Sequence, residues 1–165
     1  MDKIKTKTVL EMKSVPTAPW GLANRDTAKS PLALPVVVKP PSDGSSVGIS
    51  KVSNESEWLK ALDVAFACQQ NKSLPVLVEE FIPGREFTVA VVDGETWPVI
   101  EIVASNGWYG YDEKYNSQET MYPFLEDEKL SGKLQALALD AYNALGCPQS
   151  GSCLTGTAAA QFFTG

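Results

Sequence analysis

Apolar residues in this chain fall in short blocks whose spacing changes from one stretch to the next. Val36-Val37-Val38 is a continuous apolar run ending at Lys39-Pro40-Pro41. That pattern predicts a buried strand running into a loop, because proline cannot extend a ladder. The small, flexible stretch Ser42 to Gly48 follows, and Ile49 to Val52 predicts a second strand. Asn54 with Glu57 three residues on has the form of a capping box. Trp58, Leu62, Ala65 and Phe66 then recur at helical spacing, giving a helix one apolar face. Leu74 to Phe81 predicts another strand, ended by Pro83-Gly84. Beyond it, Phe87 to Val92 and Thr96 to Ile102 flank Asp93-Gly94, a pair suited to the positive φ angles of a tight hairpin turn. Leu130, Leu134, Leu137, Ala138, Ala141 and Leu145 mark a long amphipathic helix, with Gly146 as its C-cap.

The N-terminal part is less regular. Residues 2–13 predict a short charged helix with Asp2 near its start, while Val15 to Leu34, rich in Pro, Ala and Thr, predicts no element. The order is helix, strand, loop, strand, helix, strand, antiparallel hairpin, helix, with no internal repeat. This is an α+β chain of two small units meeting near residues 81–84.

Composition narrows the function. The 165 residues are 44% hydrophobic, enough for one domain or two small subdomains. Fourteen basic against 20 acidic side chains leave a net charge of -6, which argues against a general nucleic-acid binder. It does not exclude a nucleotide, since a few placed lysines can hold a triphosphate. The chain has no histidine, which removes Ser-His-Asp and Cys-His schemes and most zinc sites. Cys68, Cys147 and Cys153 lack paired C-x-x-C spacing and read as reduced thiols, Cys68 on a buried helix face. No apolar run approaches the roughly 20 residues that span a bilayer, and the opening lacks a signal peptide's apolar core. The expectation is a soluble, cytoplasmic protein with no membrane or nucleic-acid partner.

Three features can carry chemistry. Lys39 stands at a strand end before a Gly/Ser loop, where an ammonium and backbone N–H groups can hold phosphate oxygens. It is not a Walker A loop, because no G-K-[ST] follows the glycines; a hairpin loop beside a solvated lysine fits the same pattern. Val76 to Ile82, followed by Glu86, can offer strand-edge backbone and an apolar wall to a purine, with a carboxylate for ribose hydroxyls. An ordinary strand ending in exposed acids also fits. Trp108 to Tyr115 is an aromatic, glycine-bearing stretch with one lysine, suited to closing over a site or simply to packing on a sheet.

Together, Lys39-Pro40, Asp43-Gly44-Ser45-Ser46-Val47-Gly48, Glu79 through Val89 and Glu113-Lys114-Tyr115 resemble the D-alanine–D-alanine ligases. The opening Met1 to Lys7 is similar to that family's entry into its central subdomain. The resemblance implies an ATP-grasp fold, in which two α+β subdomains hold ATP in a cleft between them. It implies residues 1–82 as the central subdomain, 83–147 as part of the second and 148–165 as a tail outside the family pattern. Lys3 and Lys39 then correspond to phosphate-binding lysines, and Ser45, Ser46 and Val47 to the phosphate-covering loop. Glu79, Glu80, Phe81 and Ile82 correspond to the adenine linker, with backbone of Glu80 and Ile82 toward the base. Glu86 corresponds to the ribose acid and Lys114 to a further phosphate contact. Tyr115 corresponds to the tyrosine that bonds the loop serine, Ser45, and helps close the substrate site. The implied reaction phosphorylates the carboxylate of one D-alanine with ATP, and a second D-alanine attacks the acyl phosphate, for peptidoglycan synthesis. Family members are often homodimeric.

The resemblance also has edges. The resemblance covers none of the family's N-terminal domain, and the stretch from Trp20 to Leu34 is expected to be short for the family. No charged residue occurs after Asp140, so none of the family's magnesium-binding acids is carried over and no metal ligand is assigned. The tail reads as a frameshifted or chimeric end, and this chain alone is expected to be inactive. A nucleotide-binding module without catalysis and a non-functional gene remnant are the alternatives.

Overall fold

Successive side chains of a strand point to opposite faces, so the sheet register decides which residues this protein can bring together. A computed structural model describes residues 2–42, 44, 46–69, 71–104 and 119–146. The chain divides into two compact units: residues 1–6 with 18–82, and residues 7–17 with 83–165.

Helix α1 (Lys3–Met12) opens the chain. Asp2 caps it, its carboxylate accepting the Ile4 and Lys5 amides at 3.0 and 3.1 Å, which satisfies donors with no partner in the first turn. In the first unit, β1 (Trp20–Ala23), β2 (Val36–Lys39), β3 (Ser50–Val52) and β4 (Val76–Glu80) form one antiparallel sheet in the order β1-β4-β2-β3. Strand β1 lies in the stretch whose sequence predicts nothing. Its four residues, Trp-Gly-Leu-Ala, carry little strand signal. They are held by pairing with β4, Trp20 opposite Glu79 and Ala23 opposite Val76.

Helix α2 (Trp58–Cys68) covers one face of this sheet. Trp58, Ala61, Leu62, Ala65 and Phe66 pack on Ala23, Val36, Val38, Val52, Val76 and Val78, all buried. The apolar spacing read from the sequence therefore marks the packed face. The expected capping box does not form. Residues Glu55–Glu57 make a 3-10 turn before α2, and the Asn54 side chain accepts no capping bond from the backbone. Instead Glu57 accepts from the Ser53 amide at 2.7 Å and from the Asn54 side-chain amide at 2.8 Å. The Ser53 bond leads the causes that hold the Glu57 carboxyl below the ordinary range. Cys68, expected on the buried face, is only half-buried.

In the second unit the hairpin is interrupted. Strands β5 (Glu86–Thr88) and β8 (Ile100–Ile102) pair, as do β6 (Val91–Val92) and β7 (Glu95–Thr96). Between the two ladders Val89 and Ala90 face three residues, Trp97, Pro98 and Val99, so the second strand bulges. Pro98, which has no N–H, sits where the ladder lapses. The turn at Asp93-Gly94 has φ of 52° and 84°, as the sequence requires. Residues 121–125 line β8 through bridges Ile100–Phe124 and Val103–Met121. Helix α3 (Glu128–Ala144), capped by Asp127 through the Leu130 amide, packs Leu134, Ala138 and Tyr142 on Phe87, Val89, Val91 and Val99. Gly146 follows it at φ 63°.

Candidate functional site

Register brings together the candidate residues of the first unit. Val37 lies opposite Lys51 on one side and Glu79 on the other, so Val37, Lys39, Lys51, Leu77 and Glu79 share the sheet face turned away from α2. On that face the Lys39 ammonium forms an ion pair with Glu79. Their side chains are 27% and 11% exposed, so solvent screens the pair weakly. Glu79 is one of only three buried polar or charged residues among those described.

Lys3 joins the same region. Its amide donates to the Pro41 carbonyl at 2.8 Å and its ammonium to the Pro40 carbonyl at 2.9 Å. Two lysines distant in sequence thus meet at the segment 39–41. The loop that follows is tightly turned: the Val47 amide donates to Gly44 and the Ile49 amide to Ser46. Ser46 and Gly48 take φ of 59° and 73°. At Gly48 a Cβ would stand 2.7 Å from Pro40 Cγ and 2.9 Å from Cys68 Cβ. Only glycine fits there, and its absence of side chain seats the loop on Pro40 and the end of α2. Val47 is exposed. Ser45 lies outside the described residues.

Beyond β4 the chain leaves the sheet under control of two backbone bonds. The Glu80 amide donates to Pro19 at 2.9 Å and the Phe81 amide to Pro35 at 3.0 Å. Ile82, although buried, takes part in none of these loop bonds. The ammonium of Lys51 sits over the Phe81 ring, 3.6 Å from its centroid.

Glu86, on β5 of the second unit, is half-buried opposite Ile102. Its neighbour Arg85 donates through Nε and Nη2 to both carboxylate oxygens of Glu101 at 2.7 and 2.6 Å. This fork raises the Arg85 pKa and holds the Glu101 carboxyl below the usual carboxylate range. Arg85 also stands over the Phe87 ring at 4.9 Å. Lys114 and Tyr115 lie outside the described residues. Sequence reading missed Lys51 and the Lys39–Glu79 pair. The alternation of Ile49 to Val52 places Lys51 opposite in face to Val52, but only the register gives its partners. It also missed Lys7, buried with its ammonium 2.6 Å from Thr17 Oγ1.

Among solved structures, the D-alanine–D-alanine ligase of Bacillus anthracis matches with a TM-score of 0.68 and 28% identity, over 88% of this chain and 48% of that one. VanG, the D-Ala:D-Ser ligase of Enterococcus faecalis, matches with a TM-score of 0.69 and 29% identity, over 88% of this chain and 45% of its own. The B. anthracis ligase complexed with ATP shares the fold at 24% identity and a TM-score of 0.66, over 87% and 46%. The fold is thus that of the ATP-grasp ligases, mixed helix and strand. The family model described as D-ala D-ala ligase C-terminus matches residues 8–154, and the chain belongs to that family. It spans about half the length of the solved ligases it matches. Among the described residues no helix is long and apolar enough to cross a membrane.

Proposed function

We propose that this chain is the nucleotide-holding part of an ATP-dependent ligase that joins two D-alanines for peptidoglycan synthesis. The observation that carries the reading is the Lys3 ammonium bonded to the carbonyl of Pro40, the residue after Lys39, whose own ammonium pairs with Glu79 on the strand that leads into residues 80–82. Two ammonium groups there oppose the charge of a di- or triphosphate. Past the Glu80 and Phe81 amides, both engaged by the fold, Ile82 makes no loop backbone bond to the described residues, and its main chain suits a purine edge. Glu86 would accept from the ribose, and Ser46 and Val47 would lie over the phosphates; Ser45, Lys114 and Tyr115 complete the set.

In the reaction so assigned, a carboxylate oxygen of the first D-alanine attacks the γ-phosphorus and ADP leaves. The amine of the second then attacks the acyl carbon, releasing phosphate and a proton. The lysines offset charge on the transferring phosphoryl group. The described residues hold no group of three acidic, cysteine or histidine side chains that would bind a metal. No residue is assigned to a magnesium ion, and no step is assigned to one.

The test is a melting curve with and without ATP and magnesium, followed by phosphate release with D-alanine. A nucleotide-dependent rise in melting temperature supports the site. Its absence in a cooperatively melting chain refutes the reading, and D-alanine-dependent phosphate release tests the ligase reaction.

A further inference from the structure

Lys51 has no part in the resemblance, yet its ammonium lies 3.6 Å from the centroid of the Phe81 ring. A cation this close to an aromatic face is attracted by the ring's quadrupole. The contact is long-range in topology. Lys51 is opposite Val37 on the edge strand β3, while Phe81 follows β4, bonded through its amide to Pro35 just before β2. The side chain therefore reaches across β2 and ties the outer edge of the sheet to the strap that leaves β4. Among the restraints on Phe81 are the backbone bond to Pro35 on one side and the ammonium on its ring. The next residue, Ile82, makes no such bond to the described residues. Its main-chain direction is inherited from Phe81.

We propose that Lys51 is a positioning residue for the purine base: seated on Phe81, it fixes the strap 80–82 so that the main chain at Ile82 faces the ligand. The inference rests on the nucleotide reading above and assigns to it a residue outside the phosphate set. Lys51 acts through Phe81, not on phosphate. Its removal should weaken every adenine-bearing ligand by the same factor, whether or not that ligand carries phosphates.

The experiment compares the full chain with Lys51→Met, which keeps the aliphatic stem, and Lys51→Arg, which restores a cation able to stack. Adenosine and ADP are titrated against each by NMR. A cation–ring contact at an exposed position predicts about two- to five-fold weaker binding of both ligands to Lys51→Met. Lys51→Arg should recover it, and melting temperatures should stay close together. In a Phe81→Leu background the Lys51→Met change should have no further effect on affinity. Loss confined to ADP would make Lys51 a phosphate contact and overturn the proposal, as would equal binding by Lys51→Met. If the unaltered chain binds neither ligand, the nucleotide reading itself fails. Without ligand, upfield ring-current shifts of the Lys51 ε-methylene protons should be present in the unaltered chain and lost in Phe81→Leu; their absence would refute the contact separately.

Discussion

Replacing Lys39 by methionine removes a charge while keeping most of the side chain's length, and its effects on folding and on binding can be separated. In the folded chain Lys39 is the ion-pair partner of Glu79, whose side chain is 11% exposed against 27% for the lysine. Breaking a fully buried pair costs about 3–5 kcal/mol, because the remaining charge has lost both water and its counter-ion. Lys39 keeps more than a quarter of its exposure and Glu79 retains other interactions. The expected loss is therefore about 2 kcal/mol, between the buried and surface limits. Adding Glu79→Leu should return most of it, since methionine and leucine would then pack beside Val37 and Leu77 on the same sheet face. Binding should not return. A charge-assisted contact to phosphate is worth about 1.5–3 kcal/mol, or roughly ten- to hundred-fold in ADP affinity. Urea denaturation measures the first effect and calorimetric titration with ADP the second. ADP binding to Lys39→Met as tight as to the unaltered chain would refute the phosphate role. A double variant no more stable than the single one would refute the ion-pair argument.

Other consequences follow from single positions. Gly48→Ala forces a Cβ to within 2.7 Å of Pro40 Cγ at a φ of 73°, and should cost about 2–4 kcal/mol, read as a lower urea midpoint. Trp58→Phe keeps an aromatic ring but loses the 2.8 Å bond from the indole nitrogen to the Thr27 carbonyl; about 1–2 kcal/mol is expected, against about 3–5 for Trp58→Ala. For the second unit, the Arg85 fork depresses the folded-state pKa of Glu101. Its stabilisation is thus complete above the unfolded value, roughly pH 4.3, and lost as pH falls through the folded one. Glu101→Gln should flatten that acid-side decline in a pH series of melts, and an unchanged decline would show that other groups cause it.

The local elements were legible because they depend on signals a few residues apart. Trp58, Leu62, Ala65 and Phe66 show a helical face by spacing alone, and Val36 to Lys39 shows a buried strand by its unbroken apolar run before proline. Asp93-Gly94 declares its turn because few other pairs accept two positive φ angles. The family resemblance was legible in the same way, from short blocks in a fixed order, and the family model and solved ligases support it. Strand β1 was not legible, since its weak sequence is held by β4 more than 50 positions away. Nor was the hairpin's bulge, which depends on how Pro98 meets the opposite strand. The capping box failed for a related reason. Its residues were right, but the Asn54 side chain is taken up by the Glu57 and Ser56 side chains instead of the backbone.

What the sequence by itself determined is which residues could do chemistry: lysines before a small-residue loop, acids and apolar residues around a strand end. Only the tertiary structure decided which of them meet. Lys3 reaches Pro40 from a different element, Lys39 finds Glu79 across a strand pair, and Lys51 crosses β2 to cover Phe81. Spacing along one element fixes the face a side chain takes, because backbone geometry repeats. Pairing between elements is set by the sheet's register, and that register follows from burying one common apolar face against α2.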